Sequence, residues 1–118
     1  MDTRWIDDLA ALVPNTRIHR KAHYIKRFAT GIRFGGGSAL AVFEPASLLD
    51  FWHVLKACVA ADCVVICQAA NTCVTGGSTP DGEDYDREVV IINTLRLDTC
   101  IPICDAQQAL VFAGGTLY

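Results

Sequence analysis

No stretch of this 118-residue chain approaches the roughly 18 uninterrupted apolar residues that a membrane span requires. The amino terminus, Met1-Asp2-Thr3-Arg4-Trp5-Ile6-Asp7-Asp8, has acids where a signal peptide has its apolar core. These absences lead to the expectation of a cytoplasmic protein. A strong charge imbalance is also missing: ten basic against thirteen acidic residues leave a net charge of -3, too mild to imply a nucleic-acid partner. The six cysteines (Cys58, Cys63, Cys67, Cys73, Cys100 and Cys104) contain no C-x-x-C pair, the spacing of a zinc knuckle or a redox dithiol. Most of them flank Val, Ile or Pro in strand-like runs, where a reduced thiol acts as a small hydrophobe; a metal site and disulfides remain as alternatives. What the chain does have is 52% hydrophobic and 19% charged residues, the balance of one folded domain.

Residues 3–13 place Trp5, Ile6, Leu9, Leu12 and Val13 near helical spacing, with Thr3 as the expected N-cap and Pro14 as a stop. The next stretch, 17–33, holds six of the ten basic residues, interleaved with aromatics and leading into Gly31, Gly35, Gly36 and Gly37. It reads as a solvated connector, with an anionic-lipid or phosphate patch and a nucleic-acid patch as alternatives. Residues 39–43 form a short apolar strand. Ser47-Leu48-Leu49-Asp50 is a capping box that opens the strongest helix, whose core face is expected to be Leu48, Phe51, Trp52, Leu55, Cys58 and Val59, with Asp50, His53 and Lys56 pointing away. Residues 63–67 follow as a strand apolar throughout, expected to be covered on both faces. Together they make a βαβ unit with parallel strands and a right-handed crossover.

The acidic run 81–88 lacks the offsets of an EF-hand loop and reads as a solvated turn, so no metal ligand is assigned. Residues 89–93 are a third strand. Residues 95–104 and 108–112 read as a hairpin around Asp105-Ala106, and residues 114–118 as the opening of another element. His19, His23 and His53 have no evident partner and read as surface residues, so no catalytic residue is assigned.

Between the second and third strands lies Gln-Ala-Ala-Asn-Thr-Cys-Val-Thr-Gly-Gly-Ser-Thr-Pro, residues 68–80. Small side chains at the carboxyl end of a strand let backbone N–H groups converge on phosphate oxygens. Asn71 accepts a left-handed conformation, and Gly76-Gly77 permits a tight turn. Neither G-x-x-x-x-G-K-[ST] nor a G-x-G-x-x-G following a strand is present, which argues against a P-loop triphosphatase and an ordinary Rossmann dehydrogenase. A pyrophosphate cradle and an ordinary polar turn both remain open on these residues alone.

Several blocks occur in order: Ala39-Leu40-Ala41-Val42, Ser47-Leu48-Leu49, Trp52 with residues 54–59, Gln68-Ala69-Ala70-Asn71-Thr72, Gly77-Ser78-Thr79-Pro80, Asp84-Tyr85-Asp86-Arg87, and Val89-Val90-Ile91-Ile92 with residues 94–98. Together they resemble the amino-terminal part of the quinone-dependent, FAD-containing D-lactate dehydrogenase family, of the vanillyl-alcohol-oxidase (PCMH) type. The resemblance implies an α+β PCMH-type FAD-binding subdomain, incomplete here, with residues 1–34 as an amino-terminal helix and connector and 35–118 as the first part of the flavin domain. It implies FAD as cofactor, contacted by Ala69, Ala70, Asn71, Thr72, Cys73, Gly77 and Ser78. Position 73 departs from the family, which has glycine there. For the full-length protein the resemblance implies D-lactate and quinone as partners, no nucleic acid, and peripheral association with the cytoplasmic face of the inner membrane. This part of it is expected to be non-catalytic by itself. A reading of another class is a small cytosolic domain that binds an anionic ligand or a partner through residues 17–33 without catalysis.

Overall fold

The computed structural model describes residues 2–31, 35–71, 75–105 and 107–111, and the Val111 backbone without its side chain. Helix α1 (Arg4–Leu12) buries Ile6 and Leu9, with Val13 just beyond, and closes where the Val13 N–H donates to the Leu9 carbonyl at 3.0 Å. Thr3 stands at the N-cap position without a side-chain cap. Its hydroxyl instead accepts from the Arg20 guanidinium at 3.2 Å.

The basic segment is not a solvated connector. Arg17–His19 is a strand, β1, and Ala22–Phe28 a helix, α2. The apolar residues scattered among the cations decide this: Ile25 and Ala29 are buried against Val42 and Ile91, while Arg17, Arg20, Lys26 and Arg27 stay exposed. Two-residue strand β2 (Gly36–Gly37) and the fully buried β3 (Ala41–Glu44) follow.

Helix α3 (Leu48–Ala60) is capped as expected, the Ser47 hydroxyl accepting from the Asp50 N–H at 3.1 Å. Its buried face differs from the expected one. Val54 and Cys58 are buried, with Phe51, Leu55 and Ala57 packed beside them, whereas Leu48, Trp52 and Val59 are more than half exposed. Asp50 and His53 are partly buried. Apolar residues occupy so much of this helix's circumference that periodicity alone does not choose a face; contact with α1 and the sheet does.

Strands β4 (Val64–Gln68), β5 (Asp81–Gly82) and β6 (Val89–Asn93) complete the central region. The main sheet has the order β1-β3-β6-β4; β1 is antiparallel to β3, and the others are parallel. The βαβ strands β3 and β4 are therefore parallel but not neighbours, since β6 lies between them. All five residues of β6 are buried, as suits a central strand. β4 is an edge strand: Val64, Val65 and Ile66 are only partly buried and Cys67 is exposed, so it is not covered on both faces. A separate hairpin, β7 (Cys100–Ile103) and β8 (Gln108–Val111), matches the expected pairing with a later start, because residues 94–97 form a turn closed by the Leu97 N–H on the Thr94 carbonyl at 2.9 Å. Phe112 and residues 114–118 lie outside the described residues.

The thiols divide by position. Cys58 and Cys63 are buried, but Cys67, Cys100 and Cys104 are exposed, so most are not core residues as expected; all five are free, and Cys73 lies outside the described residues. Burial, then neighbouring Cys63 and Cys67, pushes the Cys58 thiol up to about 12. No helix among the described residues is long and apolar enough to cross a membrane.

Candidate functional site

The parallel strands β4 and β6 end together, with Gln68 and Asn93 in register. Parallel strands that stop at one level leave a crevice at their carboxyl ends, the usual place for a ligand in such sheets. The 68–80 loop leaves from this point. Ala69 and Asn71 are partly buried, Ala70 exposed, and Asn71 has φ 55°, the left-handed conformation expected of it. Its side chain makes two bonds: Nδ2 donates to the Thr30 carbonyl at 2.8 Å, and Oδ1 accepts from the Ser78 hydroxyl at 2.7 Å. Gly77 is exposed and Ser78 partly buried. Thr72 and Cys73 lie outside the described residues, and with them the question of glycine at position 73.

The glycine segment 35–37 packs against the far end of the loop, a contact the sequence reading did not connect to it. β2 pairs in parallel with β5, so Gly36 lies opposite Asp81 and Gly37 opposite Gly82. Gly35 has φ 89°, and a Cβ there would overlap Thr79 Oγ1 and sit 3.0 Å from Gly76 Cα. A Cβ on Gly37 would overlap the Gly82 carbonyl. These glycines let two backbones come closer than side chains would allow. The density of glycine was the available signal; its partner, some forty residues away, was not.

Between the α2 end and the start of the loop lies a cavity of about 300 Å³, bounded by Arg27, Phe28, Thr30 and Gly31 on one side and by residues 68–71, Asn93 and Leu95 on the other. Its lining includes Arg27 and no carboxylate among the described residues, a composition that suits an anion. Two larger hollows lie elsewhere, one of about 680 Å³ between α1 and α3 and one of about 470 Å³ near the amino-terminal ends of β3 and β6. The first is walled by Trp5, Leu12 and Trp52; the second mixes Arg20, Lys26 and Arg87 with Glu83 and Glu88. Neither includes the small-residue loop, so the smallest of these three hollows is the one that combines the loop with a cation.

The other candidates are placed as follows. His19, read as an unpartnered surface residue, is in fact partly buried, with Nε2 2.8 Å from Glu44 Oε2 and its ring stacked on Phe28 at 5.2 Å. The partner was invisible because it arrives through the antiparallel pairing of β1 with β3. His23 is exposed against Tyr24, and His53 packs edge-on to Trp52. In the acidic run, Glu83 accepts from the Ser38 hydroxyl at 2.6 Å, while Arg87 reaches Asp62 at 3.3 Å and Asp86 at 3.4 Å. Most of the run is exposed, and no metal-ligating cluster occurs among the described residues.

No protein-family model matches the chain. Among curated proteins it is 49% identical over 114 residues to the quinone-dependent D-lactate dehydrogenase of Escherichia coli (strain K12), covering 97% of this chain and 20% of that protein. The protein of the same name from Haemophilus influenzae (strain Rd) is 56% identical over 90 residues, 76% of this chain and 16% of that protein. The one from Corynebacterium glutamicum (strain ATCC 13032) is 40% identical over 112 residues, 95% of this chain and 20% of that protein. Among solved structures, an alkyldihydroxyacetonephosphate synthase shares the fold with a TM-score of 0.73 at 12% identity, over 89% of this chain and 22% of that one. The α+β arrangement expected from the resemblance is thus the one present. Over most of its residues this chain is 40 to 56% identical to quinone-dependent D-lactate dehydrogenases, of whose length it spans about a fifth.

Proposed function

We propose that this chain forms one wall of an FAD site in a respiratory D-lactate dehydrogenase, with loop 69–78 receiving the diphosphate of the cofactor. The observation that carries the reading is the loop itself: small residues leave the carboxyl end of β4, turn on a left-handed Asn71, and border a cavity with no carboxylate among its described lining residues. Because Asn71 and Ser78 spend their side chains on each other and on Thr30, the ligand would be met by backbone amides. Positions 69–73, 77 and 78 are the ones assigned. Backbone donors suit phosphate oxygens, since they are fixed in direction and carry no side-chain entropy.

When bound, the flavin supplies the electron-accepting centre for oxidation of a 2-hydroxy acid, here D-lactate to pyruvate, with quinone as the onward acceptor. The role of this chain's own residues is to bind and orient. No residue of it is assigned to proton abstraction, so catalysis would require groups beyond this wall. Peripheral association with the cytoplasmic face of the inner membrane belongs to the same proposal for the whole protein.

Titration of the purified chain with FAD, followed by flavin fluorescence, tests the reading. FAD and ADP should bind competitively, and riboflavin, which lacks the diphosphate, should bind at least tenfold more weakly. A cooperatively folded chain that binds neither FAD nor ADP at millimolar concentration overturns it.

A further inference from the structure

Gln68 and Asn93 are 2% exposed each, and they end strands whose preceding residues are apolar. A carboxamide buried at the end of an apolar strand is costly unless every polar atom is paired. Here each one is. Gln68 Nε2 donates to the Phe28 carbonyl at 2.6 Å and to the Ser78 carbonyl at 2.9 Å. Asn93 Nδ2 donates to Gln68 Oε1 at 2.9 Å and to the Ala69 carbonyl at 3.1 Å, and Asn93 Oδ1 accepts from the Leu95 N–H at 3.1 Å. The orientation of both amides is forced, because carbonyl oxygens only accept and a backbone N–H only donates.

We propose that Gln68 and Asn93 are positioning residues for the two ends of the candidate loop, their interlocked carboxamides setting where the backbone at 69–71 and 75–78 stands before a ligand arrives. The inference rests on the reading of that loop as a diphosphate site. The pair grips the loop at its entry, through the Ala69 carbonyl, and near its exit, through the Ser78 carbonyl. It joins both points to the end of α2 and to the turn after β6, the segments that also bound the cavity. The Asn71 and Ser78 side chains bond each other, and Asn71 also ties the loop to the Thr30 carbonyl, so the carboxamide pair acts beside that tether on the backbone at both ends of the loop. A ligand met by pre-placed amides does not have to order them, and affinity rises accordingly.

The test uses the full chain carrying Gln68→Met, Asn93→Leu and the two together, with three readouts: thermal unfolding, FAD affinity, and hydrogen exchange of the amides at 69–71 and 75–78. Each single change strands one buried amide partner, so both singles should lower stability. The double change strands no side-chain amide but leaves the Phe28, Ala69 and Ser78 carbonyls and the Leu95 N–H without these partners, so its loss should be smaller than the sum of the two singles rather than absent. Affinity for FAD should stay at least tenfold weaker in all three variants, and the loop amides should exchange at least tenfold faster while β3 and β6 remain protected. Affinity that recovers in step with stability in the double variant would mean a merely structural pair and overturns the proposal. Loop amides exchanging at the wild-type rate in the variants overturn it as well. A wild-type chain that binds neither FAD nor ADP defeats the proposed function, and the exchange rates then decide the positioning role separately.

Discussion

Gly35→Ala is the sharpest perturbation of the contact between the glycine segment and the loop. At φ 89° an alanine is in the left-handed region, which costs about 1–2 kcal/mol for an L-residue. Its Cβ also overlaps Thr79 Oγ1 and approaches Gly76 Cα at 3.0 Å, and relieving such overpacking costs about 1–3 kcal/mol. The sum, about 2–5 kcal/mol, is a large share of the roughly 5–15 kcal/mol that stabilises an ordinary domain. Urea unfolding followed by tryptophan fluorescence should show a midpoint lowered by about 1 M or more, for a slope of about 1–3 kcal/mol per molar. The two causes separate in a double-mutant cycle. Thr79→Ala removes the overlapped hydroxyl but not the backbone strain, so the pair Gly35→Ala with Thr79→Ala should regain about 1 kcal/mol relative to additivity. A Gly35→Ala protein within about 0.5 kcal/mol of wild type, the usual scatter of surface changes, would refute the close approach of segments 35–37 and 76–82.

Other consequences can be measured independently. The Cys58 pKa is raised from 9.0 to about 12 by burial first, so the folded state holds its proton where the unfolded state releases it. Stability from this group is complete below pH 9 and lost as pH rises from there toward 12, by up to about 1.4 kcal/mol per unit; Cys58→Ala should flatten that part of a pH series of urea melts. Thiol titration of the folded chain should modify Cys67, Cys100 and Cys104 rapidly and leave Cys58 until unfolding. Val54→Ala, at a fully buried position, should cost about 2 kcal/mol, whereas Trp52→Ala on the exposed face should cost less than about 1 kcal/mol despite removing the larger side chain. Ser47→Ala should lower stability by about 1 kcal/mol through loss of the cap to Asp50, read as a drop in thermal midpoint.

Local signals were read correctly where one residue's neighbours in sequence are also its neighbours in space. Helix α1, the Ser47 cap, the strand at β6 and the β7–β8 pairing all belong to this class, although Leu12 of α1 is exposed. Asn71 does too, since its left-handed φ is a property of the residue and its turn. The buried face of α3 was misread because apolar side chains surround most of the helix, and only the position of α1 and the sheet selects Val54 over Trp52. His19 was misread because Glu44 reaches it by strand pairing across 25 residues. The basic segment was misread because charge dominated its appearance, while Ile18, Ile25 and Ala29 dominated its packing.

By itself the sequence determined helices α1 and α3, strands β3, β4 and β6, the β7–β8 hairpin, and the small-residue loop with its site at the end of a strand, because these depend on periodicity, side-chain size and backbone preference over a few residues. Tertiary structure alone decided the rest. It inserted β6 between β3 and β4, turned β4 into an edge, and brought Gly35 against Thr79 and Gln68 against Asn93. The physical reason is that such contacts depend on which distant segments exclude water together, and no local pattern in the chain encodes the identity of that distant partner.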